Sequence, residues 1–273
     1  MTGALVVYRW EVAKVLAQKR TYLGLVAAIA IPIVFVTVLL IKTGGPNDAL
    51  LGLGSHVRDT GLVVPFVVLF FMSFWAFPLI ASLVAGDIVA AETQNGTLKT
   101  ILTRSRGRGE VFAGKALAAL TYILVAVVAM ATVGTAAATI AWGFNRLPSP
   151  TGPTVSAWHG LWLLVVSLGV YLLPLAAIGA FALFLSTVTR NSAASVVGAL
   201  MWSLAFQVLE ALPGTESIRP YLLSVQFAAW HGLLRIPADW APVEHALWVC
   251  ALYIVVPLVL AAVIFMRRDV AGE

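Results

Sequence analysis

Residues 116–142 read ALAALTYILVAVVAMATVGTAAATIAW, a run without a single Asp, Glu, Lys or Arg. A helix needs about 20 mainly apolar residues to cross the roughly 30 Å hydrocarbon core of a membrane. The run is long enough, and it lacks the period-two alternation and the shorter length of a membrane β-strand. It therefore predicts a transmembrane helix and decides the fold class of the chain.

The composition of the whole chain agrees with a membrane protein. Of its 273 residues, 61% are hydrophobic and 11% are charged, whereas an ordinary soluble domain is about 45–50% apolar and about 25% charged. So few charges could not cover a soluble enzyme, and so much apolar surface excludes a disordered chain. The net charge of +5 is explained by basic residues that flank membrane spans, so we expect no nucleic-acid partner.

Five further stretches share the length and hydropathy of 116–142. We predict an all-α integral membrane protein with a single transmembrane domain over residues 1–273. The first span is expected to remain as a signal anchor, because its apolar core is too long for a cleaved signal peptide. The six predicted transmembrane helices are 22–41, 62–85, 116–142, 158–186, 193–212 and 246–266.

The distribution of Lys and Arg orients these spans. Twelve of the 17 basic residues lie in the N-terminal arm, in the loops after spans two and four, and in the C-terminal tail, and five lie on the other side. The positive-inside rule then places both termini in the cytoplasm of a multi-pass protein of the cell membrane.

An N-terminal interfacial helix is predicted over residues 1–21. Basic residues on such a helix suit an anionic cytoplasmic leaflet. Lys14 and Gln18 lie opposite the apolar face, and Val7 and Trp10 interrupt the polar face. The predicted apolar face consists of Leu5, Tyr8, Val12, Val15 and Leu16.

The segment 213–245 precedes the sixth span on the outer side. It is too polar to span the membrane and too apolar for a free loop, so we predict a re-entrant or interfacial segment. The segment contains His, Asp and Glu residues, which are common metal ligands. They lack the H-E-x-x-H or C-x-x-C spacing of metal sites, so no metal site is predicted. These residues are Glu216, His231, Asp239, Glu244 and His245.

The longest predicted cytoplasmic loop is 86–115. Leu98, Ile101 and Leu102 repeat at i, i+3 and i+4, which indicates a short amphipathic helix. Asn95-Gly96 before it can end the preceding helix, and Asn95 or Thr97 can cap the next. Such a helix suits docking into a groove of a cytosolic partner. The alternative is a solvated loop with one helical turn.

Catalytic and cofactor motifs are missing or incomplete. Residues 109–115 match G-x-x-x-x-G-K, but Ala116 stands where a phosphate-binding loop needs Ser or Thr for Mg²⁺. We interpret the match as chance, with Gly114 allowing close helix packing and Lys115 marking the membrane boundary.

Gln207 and Glu210, near the end of the predicted span 193–212, are the candidates for a substrate pathway or an outer gate.

Residues 92–103, ETQNGTLKTILT, followed by Arg108-Gly109-Glu110 and Gly114-Lys115, resemble the membrane subunits of type-2 ABC transporters. Those permeases carry an acidic residue, a Gly-Thr-Leu triplet, a Leu-rich turn, an Arg and then Gly-Lys before the third span. The six spans and the two flanking segments extend the resemblance over the whole chain. The family often has Pro after the Leu-rich turn, where this chain has the more basic RSRGR of 104–108.

The resemblance implies half of an ATP-driven exporter. A second permease copy or a related permease would complete the pathway, and a cytosolic ABC ATPase subunit would bind ATP and Mg²⁺, so the chain itself would hold no cofactor. The few intramembrane charges favour a hydrophobic or amphipathic substrate. The residues that would couple the chain to the ATPase are Glu92, Gly96, Thr97, Leu98, Ile101, Leu102 and Arg104.

The sequence leaves three other functions open. The first is an ABC-type membrane module that transmits force or a signal without moving cargo. An integral membrane enzyme is opposed by the lack of paired catalytic residues at depth. A secondary transporter is opposed by the lack of intramembrane charges that would bind a coupling ion. The last two would both depend on Glu210.

Overall fold

The computed structural model describes residues 3–42, 53–97 and 107–267. Within these ranges, six helices are long and apolar enough to cross a membrane. The chain is therefore a predominantly α-helical, multi-pass membrane protein, as predicted. The six helices are Lys19–Ile41, Ala76–Gln94, Arg108–Trp142, Ala157–Thr189, Ser192–Ala211 and Ala241–Arg267.

The second of these, Ala76–Gln94, consists of two consecutive helices, α4 and α5. In chain order the described helices are α1 (Gly3–Leu16), α2 (Lys19–Ile41), α3 (Val63–Phe74), α4 (Ala76–Asp87), α5 (Ala90–Gln94), α6 (Arg108–Trp142), α7 (Ala157–Thr189), α8 (Ser192–Ala211), α9 (Leu223–Gln226) and α10 (Ala241–Arg267). Short 3-10 helices occupy Gly54–His56, Arg219–Tyr221 and Ala229–Leu234. Two short antiparallel strands, β1 (Leu147–Pro148) and β2 (Thr154–Val155), form a hairpin between α6 and α7.

The predicted span 62–85 is not one continuous helix. It is divided at Trp75, whose backbone angles are φ −149° and ψ −33°, into α3 and α4. Pro78 has no N–H group, so the carbonyl of Phe74, four residues earlier, loses its usual helical donor. The side-chain Nε2 of Gln207 on α8 donates a hydrogen bond to that carbonyl instead. The break is thus stabilised by a contact between two different spans.

Helix α7 lies at the centre of the bundle, in contact with α4, α6, α8 and α10. Its Tyr171 is fully buried and donates a hydrogen bond to the carbonyl of Leu69 at 3.1 Å. The most apolar window of α7 is 50% buried, whereas those of α2, α8 and α10 are 28%, 17% and 22% buried. These three helices therefore form the periphery and leave large apolar faces uncovered.

The loops gather at two ends of the bundle. At the end that we call the hairpin end, Gly61 N donates to Gly143 O at 3.0 Å, which joins the start of α3 to the end of α6. Ser149 of the hairpin donates to the carbonyl of Leu234 at 2.7 Å. The opposite end, called the α1 end, carries α1, α5 and the C-terminus of α10, where Arg108 donates to Met266 O.

The segment 213–240 folds back against the helices at the hairpin end. Trp230 is fully buried and stacks on Phe66 of α3, with 5.5 Å between the ring centroids. Phe227 packs edge-on against Tyr171 of α7 at 5.2 Å. This packing excludes a free loop.

The buried face of helix α1 overlaps the predicted apolar face only in part, because Val15 belongs to both. Val7, Glu11 and Val15 are buried, whereas Leu5 and Leu16 are exposed. The reason is that α1 packs against α6, a partner that the helical periodicity of α1 alone does not reveal.

Gly114 on α6 makes this packing close. A Cβ atom at Gly114 would come within 2.7 Å of Cγ1 of Val7, a distance that real Cβ contacts do not reach. The prediction that Gly114 allows close helix packing is confirmed. The interpretation of Val7 as an interruption of a polar face was wrong.

Candidate functional site

Four charged side chains meet inside the protein at the α1 end. The charge cluster consists of Glu11 and Lys14 of α1, Glu92 of α5 and Lys115 of α6. Nζ of Lys115 lies 2.9 Å from Oε1 of Glu11 and 2.7 Å from Oε2 of Glu92. Lys14 binds Glu92 and lies 3.5 Å from Oε2 of Glu11. The cluster therefore brings two carboxylates together with two ammonium groups, so that their charges can compensate each other.

The cluster is almost entirely shielded from solvent. The side chains of Glu11 and Lys115 are 0% exposed, that of Glu92 is 4% exposed and that of Lys14 is 29% exposed. Burial of each ion costs several kcal/mol, and close pairing can offset that cost only while every partner is present. Loss of one partner would leave an unpaired buried charge, so the cluster favours the arrangement of α1, α5 and α6 in which all of its pairs are formed.

Burial also changes the protonation of Lys14, the most exposed member. Desolvation, with a smaller contribution from the positive charge of Lys115, lowers the pKa of Lys14 from 10.5 to about 8, against the opposing effect of Glu11. Lys14 therefore releases its proton at mildly alkaline pH.

Lys115, interpreted from the sequence as a marker of the membrane boundary, is fully buried in the protein. Its ammonium group also donates to the carbonyl of Ile88 at 3.2 Å. Residues 109–115 lie within helix α6, so their backbone N–H groups do not form a phosphate-binding loop.

A second buried carboxylate lies at the end of α4. Asp87 is 2% exposed and binds Nη1 of Arg20, at the start of α2, at 2.5 Å. The hydroxyl of Ser192, the first residue of α8, also donates to Asp87. Asp87 thus joins the ends of three membrane helices.

The turn between Asp87 and Glu92 is held by α7 as well. Backbone N–H groups of Val89 and Ala90 donate to the hydroxyl of Ser186 on α7, at 3.2 Å and 2.9 Å. Residues 87–92, which we call the anchor segment, therefore contact α1, α2, α6, α7 and α8. The amphipathic helix predicted around Leu98, Ile101 and Leu102, which the resemblance makes the coupling helix, follows this segment in the chain.

The predicted coupling residues are described in part. Glu92 belongs to the charge cluster, and the hydroxyl of Thr97 donates to the carbonyl of Glu92 at 3.3 Å. Gly96 has a φ of +68°, and α5 ends at Gln94, which confirms the predicted helix end at Asn95-Gly96. The other predicted coupling residues, Leu98, Ile101, Leu102 and Arg104, lie outside the described residues.

Gln207 and Glu210 were predicted as pathway or gate residues. The structure places Gln207 at the break in the second span, where it binds the carbonyl of Phe74. Glu210 lies one turn further along α8 and is partly exposed. Next to Gln207, the side chains of Phe74 and Trp75 are 43% and 60% exposed. An amide thus lies beside an uncovered aromatic surface.

Sequence reasoning missed Glu11, Lys14 and Asp87 as members of buried ion pairs. Only 11% of the chain is charged, and an acidic residue inside apolar sequence needs a partner. That signal could have drawn attention to Glu11 and Asp87. It could not have identified their partners, because Lys115 follows Glu11 by 104 positions.

No group of three or more His, Cys, Asp or Glu side chains in ranges 3–42, 53–97 and 107–267 is arranged to hold a metal ion.

Comparison with known sequences assigns the chain to a family. The family described as "Protein of unknown function (DUF2705)" matches residues 33–271, which is most of the chain. The chain therefore belongs to this family. No curated protein matches the sequence.

Proposed function

We propose that this member of the DUF2705 family is the permease subunit of an ATP-driven ABC transporter. It forms half of a membrane pathway that exports a hydrophobic or amphipathic substrate. A separate cytosolic ABC ATPase subunit binds ATP and Mg²⁺ and hydrolyses ATP. A second copy of the chain, or a related permease, supplies the other half of the pathway.

The observation that carries this proposal is the attachment of the anchor segment. A loop that transmits force from an ATPase must be rigidly joined to the helices that it moves. The anchor segment ends at Glu92, the first residue of the stretch 92–103 on which the resemblance rests. Its ion pairs and hydrogen bonds through Asp87, Glu92 and Ser186 join it to α1, α2, α6, α7 and α8.

This attachment gives the proposed coupling a physical route. An ATPase can change the membrane subunit only by binding one of its arrangements more favourably than another. A displacement of residues 92–103 would reach α1 and α6 through Glu92, and α2 and α8 through Asp87. The break at Trp75 separates the cytoplasmic half of the second span from its outer half, so the two halves can move relative to each other.

The proposal orients the α1 end toward the cytosol, in agreement with the positive-inside rule. Leu5, Trp10 and Leu16 on the exposed side of α1 would then contact lipid at the cytoplasmic interface. Segment 213–245 would then lie on the outer side, and its packing against α3 and α7 supports a re-entrant segment over a free loop.

The uncovered helix faces support both a partner permease and an apolar substrate. Most residues in the apolar windows of α2, α8 and α10 are not buried, and a second subunit could cover part of that area. The exposed aromatic surface of Phe74 and Trp75 beside the amide of Gln207 suits an amphipathic molecule.

The test is a pull-down of the tagged chain from its native membranes in mild detergent. We expect an ATPase with a complete phosphate-binding loop to co-purify with the native chain. The double variant Leu98→Arg, Leu102→Arg should lose it, because two charges would disrupt the apolar ridge of the predicted coupling helix.

The matched control is Ser217→Arg, an exposed position at the hairpin end. It should retain the ATPase. If no ATPase co-purifies in any of several detergents, the permease proposal is wrong. If the double variant retains it, the proposed coupling role of Leu98 and Leu102 is wrong.

A further inference from the structure

A cavity of about 400 Å³ lies at the hairpin end, away from the charge cluster. It is bounded by the 3-10 helix Arg219–Tyr221, by the chain around α9 and by the first turn of α10. Most of its wall consists of Val, Ala and Pro side chains. Its polar lining consists of Glu216, Arg219, Gln226 and His245.

Three of these four polar side chains have partners within the protein. The amide Nε2 of Gln226 donates to the carbonyls of Pro220 and Leu222, at 2.7 Å and 3.0 Å. Nε2 of His245 donates to the carbonyl of Pro220 at 2.9 Å. The carboxylate of Glu216 accepts from the backbone N–H of Gly214 at 3.2 Å.

Arg219 differs from these three. Its Nε is buried and has no hydrogen-bond partner in the part of the chain that the structure describes. A guanidinium group stays charged at any physiological pH, and its planar fork fits the oxygens of a phosphate or carboxylate. Backbone hydrogen bonds, and Arg219 to a smaller extent, lower the pKa of Glu216. The carboxylate of Glu216 thus accepts a hydrogen bond from its own turn, and its charge interacts with that of Arg219 without an ion pair between the two side chains in the described residues.

The surroundings of the cavity indicate which chemical groups a ligand would carry besides an anionic group bound by Arg219. His245 packs against Trp248 at 5.1 Å and against Tyr221 at 5.8 Å. Trp and Tyr are enriched at the level of lipid headgroups. The apolar wall offers no hydrogen bonds, so it suits a hydrocarbon portion of the ligand. The volume lies within the roughly 300–1,000 Å³ of small-molecule sites.

We propose that this cavity binds the phosphate-type headgroup of an anionic amphiphile, with Arg219 as the residue that contacts the anion. The apolar wall around Val225 and Ala228 contacts the adjoining chain of the amphiphile. The same headgroup chemistry can come from a membrane lipid or from free phosphate in solution. The inference goes beyond the proposed permease function and does not depend on an ATPase.

The experiment measures lipid binding to the purified full-length protein. A titration with fluorescent phosphatidylglycerol is compared with one using fluorescent phosphatidylcholine, which has no net charge. We expect the native protein to bind phosphatidylglycerol at least about tenfold more tightly. Arg219→Gln should abolish this preference. The matched control Arg235→Gln changes an exposed arginine outside the cavity and should keep it.

A second variant tests the cavity without changing its charge. Ala228 lines the cavity and is exposed, so Ala228→Trp can fill the space while the fold is retained. It should also weaken phosphatidylglycerol binding, and it carries the test if Arg219→Gln does not fold. Undiminished binding by a folded Arg219→Gln or Ala228→Trp variant would overturn the assignment, as would a native protein without lipid preference.

Inorganic phosphate distinguishes the two sources of the headgroup. Phosphate that competes with phosphatidylglycerol, but binds at least tenfold more weakly, supports an amphiphile with a chain on the apolar wall. Phosphate that binds as tightly as the lipid would show that the apolar wall contributes nothing. That result would overturn the amphiphile in favour of a soluble anion.

Discussion

Lys115 of α6 and Glu11 of α1 form an ion pair at 2.9 Å in which both side chains are completely excluded from solvent. The two residues lie on helices that the sequence analysis assigned to separate tasks, a surface anchor and a membrane span. Their pairing joins α1 to the bundle, and Glu92 extends the connection to the anchor segment. The N-terminal helix is thus part of the apparatus that positions residues 92–97.

We predict that Lys115→Met destabilises the protein by about 3–5 kcal/mol, because it leaves the buried carboxylates of Glu11 and Glu92 with too few partners. The double variant Glu11→Gln, Lys115→Met should recover much of the loss. Denaturant unfolding of the purified protein in detergent measures both, with Arg9→Gln on the exposed side of α1 as the control. Equal stability of Lys115→Met and the native protein would contradict the prediction.

Gln207 should stabilise the break in the second span. Gln207→Leu removes the donor to the carbonyl of Phe74 and should cost about 1–3 kcal/mol, the range for an unsatisfied polar group. Pro78→Ala restores a backbone donor to that carbonyl. The cost of Gln207→Leu should therefore be smaller in the Pro78→Ala background, as a double-mutant cycle of unfolding free energies would reveal. Strict additivity of the two changes would argue against the shared carbonyl.

Close packing between α1 and α6 should not tolerate a side chain at position 114. Gly114→Ala places a Cβ atom 2.7 Å from Cγ1 of Val7 and should cost about 1–3 kcal/mol through overpacking. Val7→Ala in the same chain removes the clashing methyl group and should restore part of the stability. Thermal unfolding provides the measurement. Gly109→Ala is the matched control, since a Cβ atom there meets nothing within 4 Å. A loss of equal size at both glycines would exclude the Val7 contact as the cause.

The segment at the hairpin end should lose stability in acid. Burial, with a smaller effect of Arg235, lowers the pKa of His231 from 6.5 to about 4. Because the unfolded chain binds a proton below pH 6.5 and the folded chain does not, the contribution of neutral His231 is complete above about pH 6.5 and falls toward pH 4. His231→Gln should flatten the pH dependence of unfolding between these values. The exposed His159→Gln should leave it unchanged.

Hydropathy predicted the spans because crossing a membrane is a requirement on composition and length alone. Five of the six predicted spans correspond to single helices, although α6 begins at Arg108, well before the predicted start at 116. The prediction that the second span is one continuous helix was wrong. Pro78 is visible in the sequence, but whether a proline only kinks a helix or breaks it depends on what satisfies the freed carbonyl. Here the donor, Gln207, comes from another span.

The sequence by itself determined that this chain is an α-helical membrane protein, where its apolar helices lie, and that a helix is interrupted at Asn95-Gly96. Each of these depends on local composition or on the conformational freedom of one residue. Only the tertiary structure decided that Val7, Glu11 and Val15 form the buried face of α1, and that Asp87 and Glu92 anchor the turn before the predicted coupling helix. The physical reason is that an ion pair or a close helix contact is made by two residues far apart in the chain. Hydropathy and periodicity describe each helix alone, so they cannot identify the residue that it meets.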